Sequence, residues 1–328
     1  MTIHYSVESL PKLFLSEKYI SDKSNYSLNN LKEIKDFLNS IEINKQYYRT
    51  GIIVKNPKYK KRVSDDTNIL KEFKTSLNKL SSVNYKKLCE LIVGQLQSKE
   101  HLYPLILEIH GGPFSNYGFR FSAEVQLYAS KGYVVLYINP RGSTSYGKKF
   151  ANEIHHNYPN HDYDDLISGV NYILDKGFID KKNLFVTGGS GGGVLSAWII
   201  GKTDIFSAAV VAKPVINWYS FVLYADNTSI YYKYWFKDFP WKDQDNYMKR
   251  SPISYVGNIK TPTMLLTGEK DYRTPISESE QFYTALKLNK VETMLVRIPN
   301  SSHSIASKPS NLIAKINSVL YWFDKFKK

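Results

Sequence analysis

From Leu105 onward the chain alternates short β-branched or aromatic runs with longer stretches whose apolar residues recur at helical spacing. The runs Leu105–His110, Tyr133–Ile138, Asn183–Thr187, Ala208–Ala212, Thr263–Thr267 and Thr293–Ile298 are nearly continuous in apolar residues and predict strands. Between them Asp162–Lys176, Gly192–Gly201, Ile276–Leu288 and Ala306–Phe326 predict helices. Strands that alternate with helices pair side by side in parallel and are covered on both faces. The expectation is therefore an α/β fold, a doubly wound, mostly parallel sheet between layers of helices.

The first hundred residues break this pattern, being polar and rich in Asn, Lys and Ser. One amphipathic helix is predicted there, with Leu31, Ile34, Leu38 and Ile41 on a single packing face. Gly51–Val54 and Leu91–Leu96 read as strands, the second an early strand of the main sheet. The expected boundary falls near residue 84, with an extension over residues 1–84 and a main domain over 85–328.

Composition narrows the classes. With 328 residues, 42% hydrophobic and 23% charged, the chain can bury a large core and is too apolar to stay disordered. Its one cysteine, Cys89, excludes an internal disulfide and has no His or Cys cluster beside it, so it reads as a buried thiol and no metal is expected. Met1–Leu15 carries Glu8 and Lys12 in place of a secretory apolar run, and no stretch approaches the ~20 apolar residues of a membrane helix. The expected setting is cytoplasmic, off the membrane. The net charge of +14 is split about evenly, 18 basic against 11 acidic residues lying in the first hundred, with a dense spot at Lys58, Lys60, Lys61 and Arg62. We read it as a solvated basic surface rather than a nucleic-acid site.

Candidate chemistry centres on Gly188-Gly189-Ser190-Gly191-Gly192, which follows an apolar strand and opens a helix. A strand that turns this sharply into a helix admits only small residues around the serine and lifts its hydroxyl into the open. A phosphate cradle is the competing reading of such a turn, but the P-loop spacing fails at Ser196 and the dinucleotide fingerprint fails at Val194. A serine hydroxyl needs a base to take its proton and a carboxylate to orient that base. In the chain order Ser, acid, His, the base is His303, since no other histidine follows Ser190. Both Glu269 and Asp271 follow the strand Thr263–Thr267, and spacing alone leaves the acid open between them. The amide of Gly191 is one oxyanion donor, and the turn His110-Gly111-Gly112-Pro113 can supply another, His110 itself being a structural member of that turn.

Together with Asn139-Pro140-Arg141-Gly142-Ser143 and Gly268-Glu269-Lys270-Asp271-Tyr272-Arg273-Thr274-Pro275, these segments resemble the prolyl oligopeptidase family of serine peptidases, most closely its acylaminoacyl-peptidase and dipeptidyl-peptidase branches. The resemblance covers roughly residues 84 to 328. It implies the α/β-hydrolase fold, Asp271 as the acid, Gly112 as the second oxyanion donor, and Val215, Trp218 and Phe221 as walls for the substrate side chain before the scissile bond. Arg273 matches an arginine that reaches the substrate backbone in some relatives, with a structural ion pair as the equal alternative. Peptides are the implied substrates, without a cofactor; an esterase and a catalytically silent partner-binding domain are the alternatives. Two positions depart from the usual pattern, Gly191 where relatives often carry an aromatic and Ser304 where glycine is usual, and both keep a backbone amide. The 84 residues ahead of the matched region are too few for the family's β-propeller, so a homo-oligomer or association with a separate propeller part is left open.

The basic segment generates one prediction. A charge that only solvates the surface lets the protein elute from immobilised DNA at low salt. Phosphate binding would instead give retention that falls steeply between about 50 and 200 mM salt.

Overall fold

The computed structural model describes residues 3–6, 102–118 and 121–328. The expected helix at Leu31–Ile41, the strands at 51–54 and 91–96, Cys89, the basic spot and the boundary near residue 84 lie outside the described residues.

The strands are β1 (Ile3–Ser6), β2 (Tyr103–Ile109), β3 (Val134–Ile138), β4 (Ile179–Gly189), β5 (Ala208–Ala212), β6 (Thr263–Gly268) and β7 (Thr293–Ile298). They form one sheet in the order β1-β3-β2-β4-β5-β6-β7, with β1 antiparallel to β3 and every other pair parallel. The order turns back on itself between β3 and β4, which is what doubly wound means. The apolar runs imply such a sheet, and this is the α/β-hydrolase arrangement that the resemblance implies.

The helices are α1 (Ala123–Ser130), α2 (Gly147–Ala151), α3 (Asp162–Leu174), α4 (Gly191–Ile200), α5 (Trp218–Tyr224), α6 (Thr228–Tyr234), α7 (Gln244–Lys249), α8 (Ile276–Leu288) and α9 (Pro309–Phe326). The predicted helices correspond to α3, α4, α8 and α9. Periodicity did not predict α1, α2, α5, α6 and α7, which are five to eight residues long. Two turns of helix give too few repeats for a pattern to show. Caps start two of them: Ser122 accepts from the Val125 amide ahead of α1, and Asn217 accepts from the amides of Tyr219 and Ser220 ahead of α5.

A strand's side chains alternate between faces, so a parallel sheet buried on both sides must be apolar at every position. Ile106, Val135, Phe185, Val210 and Leu266 share one face with Tyr128 of α1 and with Ile316, Val319 and Phe323 of α9. Phe185 stacks on Phe323 at 4.8 Å, and Tyr133 meets the Phe185 ring edge-on at 5.8 Å. The intervening residues Leu105, Leu107, Val134, Leu136, Val186, Val211 and Leu265 are equally buried and point to the other face, where α3 and α4 pack. Every residue of α4 is buried, so it is apolar all round rather than striped. Among the described residues no helix is long and apolar enough to cross a membrane. With both faces covered, the loops after the strands at the carboxyl edge are left to carry chemistry.

One buried group sits uneasily in this core. Asp162, in the first turn of α3, accepts from the Asn160 and Tyr163 amides through Oδ1, while Oδ2 has no partner among the described residues. Burial pushes its carboxyl up to about 7. Because the folded value lies above that of the unfolded chain, the folded state binds the extra proton, and stability falls as pH rises from about 4 to about 7. Asp162→Asn should therefore melt higher than the wild type at pH 8 and lose that advantage at pH 4, as thermal denaturation at the two pH values can check.

Candidate active site

Strand β4 ends at Gly189, and Ser190 makes the turn into α4 with φ 61° and ψ −120°, a conformation that non-glycine residues rarely hold. The turn is fixed on both sides, Ser190 N donating to the Ala212 carbonyl of β5 at 3.0 Å and Val194 N to the Ser190 carbonyl at 2.9 Å. Glycine is required around it because main chains touch. A Cβ on Gly188 would lie 2.6 Å from the Gly192 carbonyl oxygen, and one on Gly192 would lie 2.0 Å from that of Ile109. The turn forms only because β2, β4 and β5 deliver their ends to the same place.

The His110–Pro113 turn after β2 reaches this point from the other side. The space a Gly191 Cβ would need is occupied by main-chain atoms of Gly112 from 3.1 Å, and a Cβ on Gly111 would meet Ser190 Oγ at 3.9 Å. The two glycines expected to carry the oxyanion donors are thus neighbours beside the serine. His110 is held as a structural residue, its ring nitrogens 3.0 Å from Ser143 Oγ and 2.7 Å from the Gly111 carbonyl. Burial lowers its pKa, which favours the neutral ring.

The Asn139–Ser143 segment turns out to be the brace of this turn. Asn139 accepts from the Tyr117 amide at 2.7 Å and donates to the Tyr117 carbonyl at 2.9 Å. Ser143 holds His110, and Arg141 forks onto Asp165 of α3 with bonds of 2.8 Å from both Nε and Nη2. Sequence reasoning recognised the segment but gave it no task. Its one signal in the sequence was an Asn and a Ser flanking a Pro-Arg-Gly turn.

At the ends of β6 and β7, Asp271 and His303 meet: His303 Nδ1 lies 2.8 Å from Asp271 Oδ2. The Asp271 side chain is fully buried, whereas that of His303 is 26% exposed. Oδ1 of Asp271 accepts from the amides of Arg273 and Thr274, and Oδ2 also accepts from the Thr274 hydroxyl at 3.1 Å. Thr274 was not singled out from sequence, yet it fixes the carboxylate and lies 3.3 Å from His303 Nδ1. Glu269, the other acid of the loop, is exposed.

Ser190 and His303 line one open pocket of about 390 Å³ together with Gly111, Gly112, Glu108, Tyr117, Lys213 and Lys315. No hydrogen bond joins the serine hydroxyl to the imidazole among the described residues; such contacts commonly tighten only when substrate binds. Val215, Trp218 and Phe221 do not line this pocket and are buried. The Trp218 ring packs against Phe221 at 5.5 Å and Tyr158 at 6.1 Å, and the Tyr158 hydroxyl donates to the Gly191 carbonyl at 3.0 Å. The cluster therefore reaches the Gly191 end of the serine turn through Tyr158. Arg273 is engaged with Asp226, Nε to Oδ1 at 2.5 Å. The segment before α5 is held by Glu278 of α8, a buried carboxylate that accepts from the Ile216 and Asn217 amides at 2.7 and 2.9 Å and from Tyr224. Among the described residues no group of His, Cys, Asp and Glu side chains could hold a metal ion.

Comparison with known proteins agrees with this geometry. The prolyl oligopeptidase family matches over residues 119–328. The uncharacterized peptidase YuxL of Bacillus subtilis is 42% identical over 229 residues, which are 69% of this chain and 35% of that protein. The acylamino-acid-releasing enzyme of Arabidopsis thaliana is 32% identical over 252 residues, 72% of this chain and 32% of its own length. Among solved structures, the acylaminoacyl peptidase of Pyrococcus horikoshii superposes with a TM-score of 0.68 at 29% identity, covering 70% of this chain and 38% of that one. An acylaminoacyl peptidase in complex with Z-Gly-Gly-Phe-chloromethyl ketone gives 0.67 at 30% identity, covering 69% and 37%. The chain spans about a third of the length of the curated relatives it matches.

The role of Glu278 can be tested without touching the pocket. Glu278→Ala strands two backbone amides in the interior and should cost about 2–4 kcal/mol in urea unfolding. Glu278→Gln keeps an acceptor and should cost less than half as much.

Proposed function

We propose that this chain, which belongs to the prolyl oligopeptidase family, is a serine peptidase that cleaves peptides through an acyl-enzyme. The observation that carries the reading is the convergence on one pocket of a strained serine turn, the glycine turn after β2 and a histidine bonded to a buried carboxylate. His303 presents Nε2 to the pocket once Nδ1 is bonded to Asp271, and takes the Ser190 proton as Oγ attacks the substrate carbonyl. Asp271 orients the ring and stabilises the imidazolium that forms. The amides of Gly191 and Gly112 bind the oxyanion. The imidazolium then returns its proton to the leaving amine, and water, activated by the same base, releases the acyl group and restores Ser190. The steps use no metal or organic cofactor.

Peptides as substrates are supported by the relatives, one of which was solved with a peptide chloromethyl ketone. In this reading Val215, Trp218 and Phe221 shape the site for the side chain before the scissile bond, acting behind Tyr158. Arg273 serves as an ion-pair partner of Asp226 unless substrate recruits it. Residues 85–328 are the hydrolase domain and 1–84 an extension whose Ile3–Ser6 strand edges the sheet. A cytoplasmic setting is part of this reading, supported by the lone cysteine, which cannot form an internal disulfide. Self-association as a homo-oligomer, or association with a propeller part, belongs to the same reading.

A fluorophosphonate probe should label the wild type, with the modified peptide mapping to Ser190 by mass spectrometry, and Ser190→Ala should stay unlabelled. Asp271→Asn should label on the order of 10³- to 10⁴-fold more slowly. A folded wild type that resists the probe would remove the enzyme reading. Hydrolysis of simple esters with no cleavage of peptides or acyl-amino-acid amides would make the chain an esterase.

A further inference from the structure

Lys213 is the one cationic side chain of the pocket whose bonded partner belongs to the catalytic segment. Its ammonium donates to the main-chain carbonyl of His303 at 2.8 Å, across ninety residues of sequence. Lys315, the other lysine of the pocket, is paired with Glu124 of α1. Lys213 directly follows Ala212, whose carbonyl anchors the Ser190 amide, and its own amide bonds to the Leu266 carbonyl of β6 at 2.8 Å. Its backbone is held at φ 42°, in the left-handed region that costs a lysine energy. The stem runs beneath Gly189: a Cβ on that glycine would lie 3.1 Å from Lys213 Cε. A single side chain thus links the segment before the nucleophile to the carbonyl of the candidate base.

We propose that Lys213 is a positioning residue that latches the His303 loop to the serine turn and sets the distance between Ser190 and His303. The proposal rests on the peptidase reading given above. The imidazole is held at Nδ1 by Asp271, a bond that fixes one edge of the ring and not the main chain that carries it. The Ser301 carbonyl accepts from Lys270 and steadies the start of the loop. The carbonyl of His303 belongs to the residue that carries the ring, and Lys213 holds it. Displacement of reacting groups by about 1 Å can cost on the order of 100-fold in rate, so a latch at this point acts on turnover more than on binding.

The ammonium is held at a cost to the fold. Burial, helped by the nearby Lys315 charge and opposed by Asp271 and Glu124, lowers its pKa to about 8. The other titratable groups facing the pocket are Glu108, whose carboxyl burial pushes well above the usual range, Tyr117, His110 and His303. Because the folded value is below the unfolded one, the unfolded chain binds the extra proton between about pH 8 and the ordinary lysine range, and the fold gains stability as pH rises through that window. Below it, the buried charge opposes folding. A lysine kept only for stability would not be placed this way. A neutral amine also donates a weaker hydrogen bond than an ammonium, so the latch loosens as the charge is lost.

The test compares wild type, Lys213→Met and Lys213→Arg by three measurements: fluorophosphonate labelling rate from pH 6.5 to 9.5, kcat and KM on a short acyl-peptide amide, and thermal denaturation. The expected result is a Lys213→Met protein that melts at or above the wild-type temperature while kcat falls about 10- to 100-fold with KM within about threefold. Lys213→Arg, charged throughout, should recover most of the rate, and the wild type's labelling should decline above about pH 8 while that of Lys213→Arg should not. Equal rates for Lys213→Met and the wild type overturn the proposal, as does a lower melting temperature that accounts for the lost activity. A wild type that resists the probe sinks the peptidase reading and the latch with it, whereas a labelled wild type beside an unaffected Lys213→Met protein sinks the latch alone.

Discussion

The close approach of main chains where β4 turns into α4 is the constraint on which the site depends. The Gly188 and Gly192 positions leave no room for a Cβ because the Gly192 and Ile109 carbonyls stand there. The neighbouring strands β2 and β5 must therefore end at the same level as β4, and a sheet in that register brings the His110–Pro113 turn and the segment after Ala212 to the serine. The strain at Ser190 persists because hydrogen bonds from two other elements over-determine it.

Around this turn the polar groups are fixed by the protein rather than by solvent. Asp271 receives two amides, a hydroxyl and an imidazole edge; Glu278 receives two amides at the start of the segment that carries Trp218; Asn139 braces the turn through Tyr117. A carboxylate held by donors that are already in place needs no reorganisation when charge moves in the pocket, which is the condition for electrostatic stabilisation of a transition state. The same placement has a cost, visible in the raised carboxyl of Asp162 and the lowered ammonium of Lys213, both groups that the fold keeps in surroundings they resist.

The elements most legible in the sequence were those with long local patterns. The apolar runs that became β5 and β7 and the stretch that became α8 have the predicted bounds, and β4, β6, α3, α4 and α9 differ by a few residues. The short helices α5, α6 and α7, which carry the aromatic cluster around Trp218, left no periodic trace because two turns cannot show one. Of the candidate site, Ser190 and His303 could be named from residues alone, the first from glycines on both sides between a strand and a helix, the second because no other histidine follows it. The acid could not. Glu269 and Asp271 are two residues apart in one loop, and their spacing carries no information about which points inward.

The sequence by itself determined the succession of the six parallel strands and the four long helices, the serine turn and the sole histidine behind it, because each is a matter of neighbours along the chain. Tertiary structure decided the rest. Asp271 is buried against His303 while Glu269 faces solvent, Val215, Trp218 and Phe221 pack inside rather than along the pocket that holds Ser190, and Lys213 reaches the carbonyl of His303. These contacts join residues tens of positions apart, and they arise only once parallel strands have set their carboxyl ends side by side. No local pattern of hydrophobic and polar residues records which side chains that edge brings together.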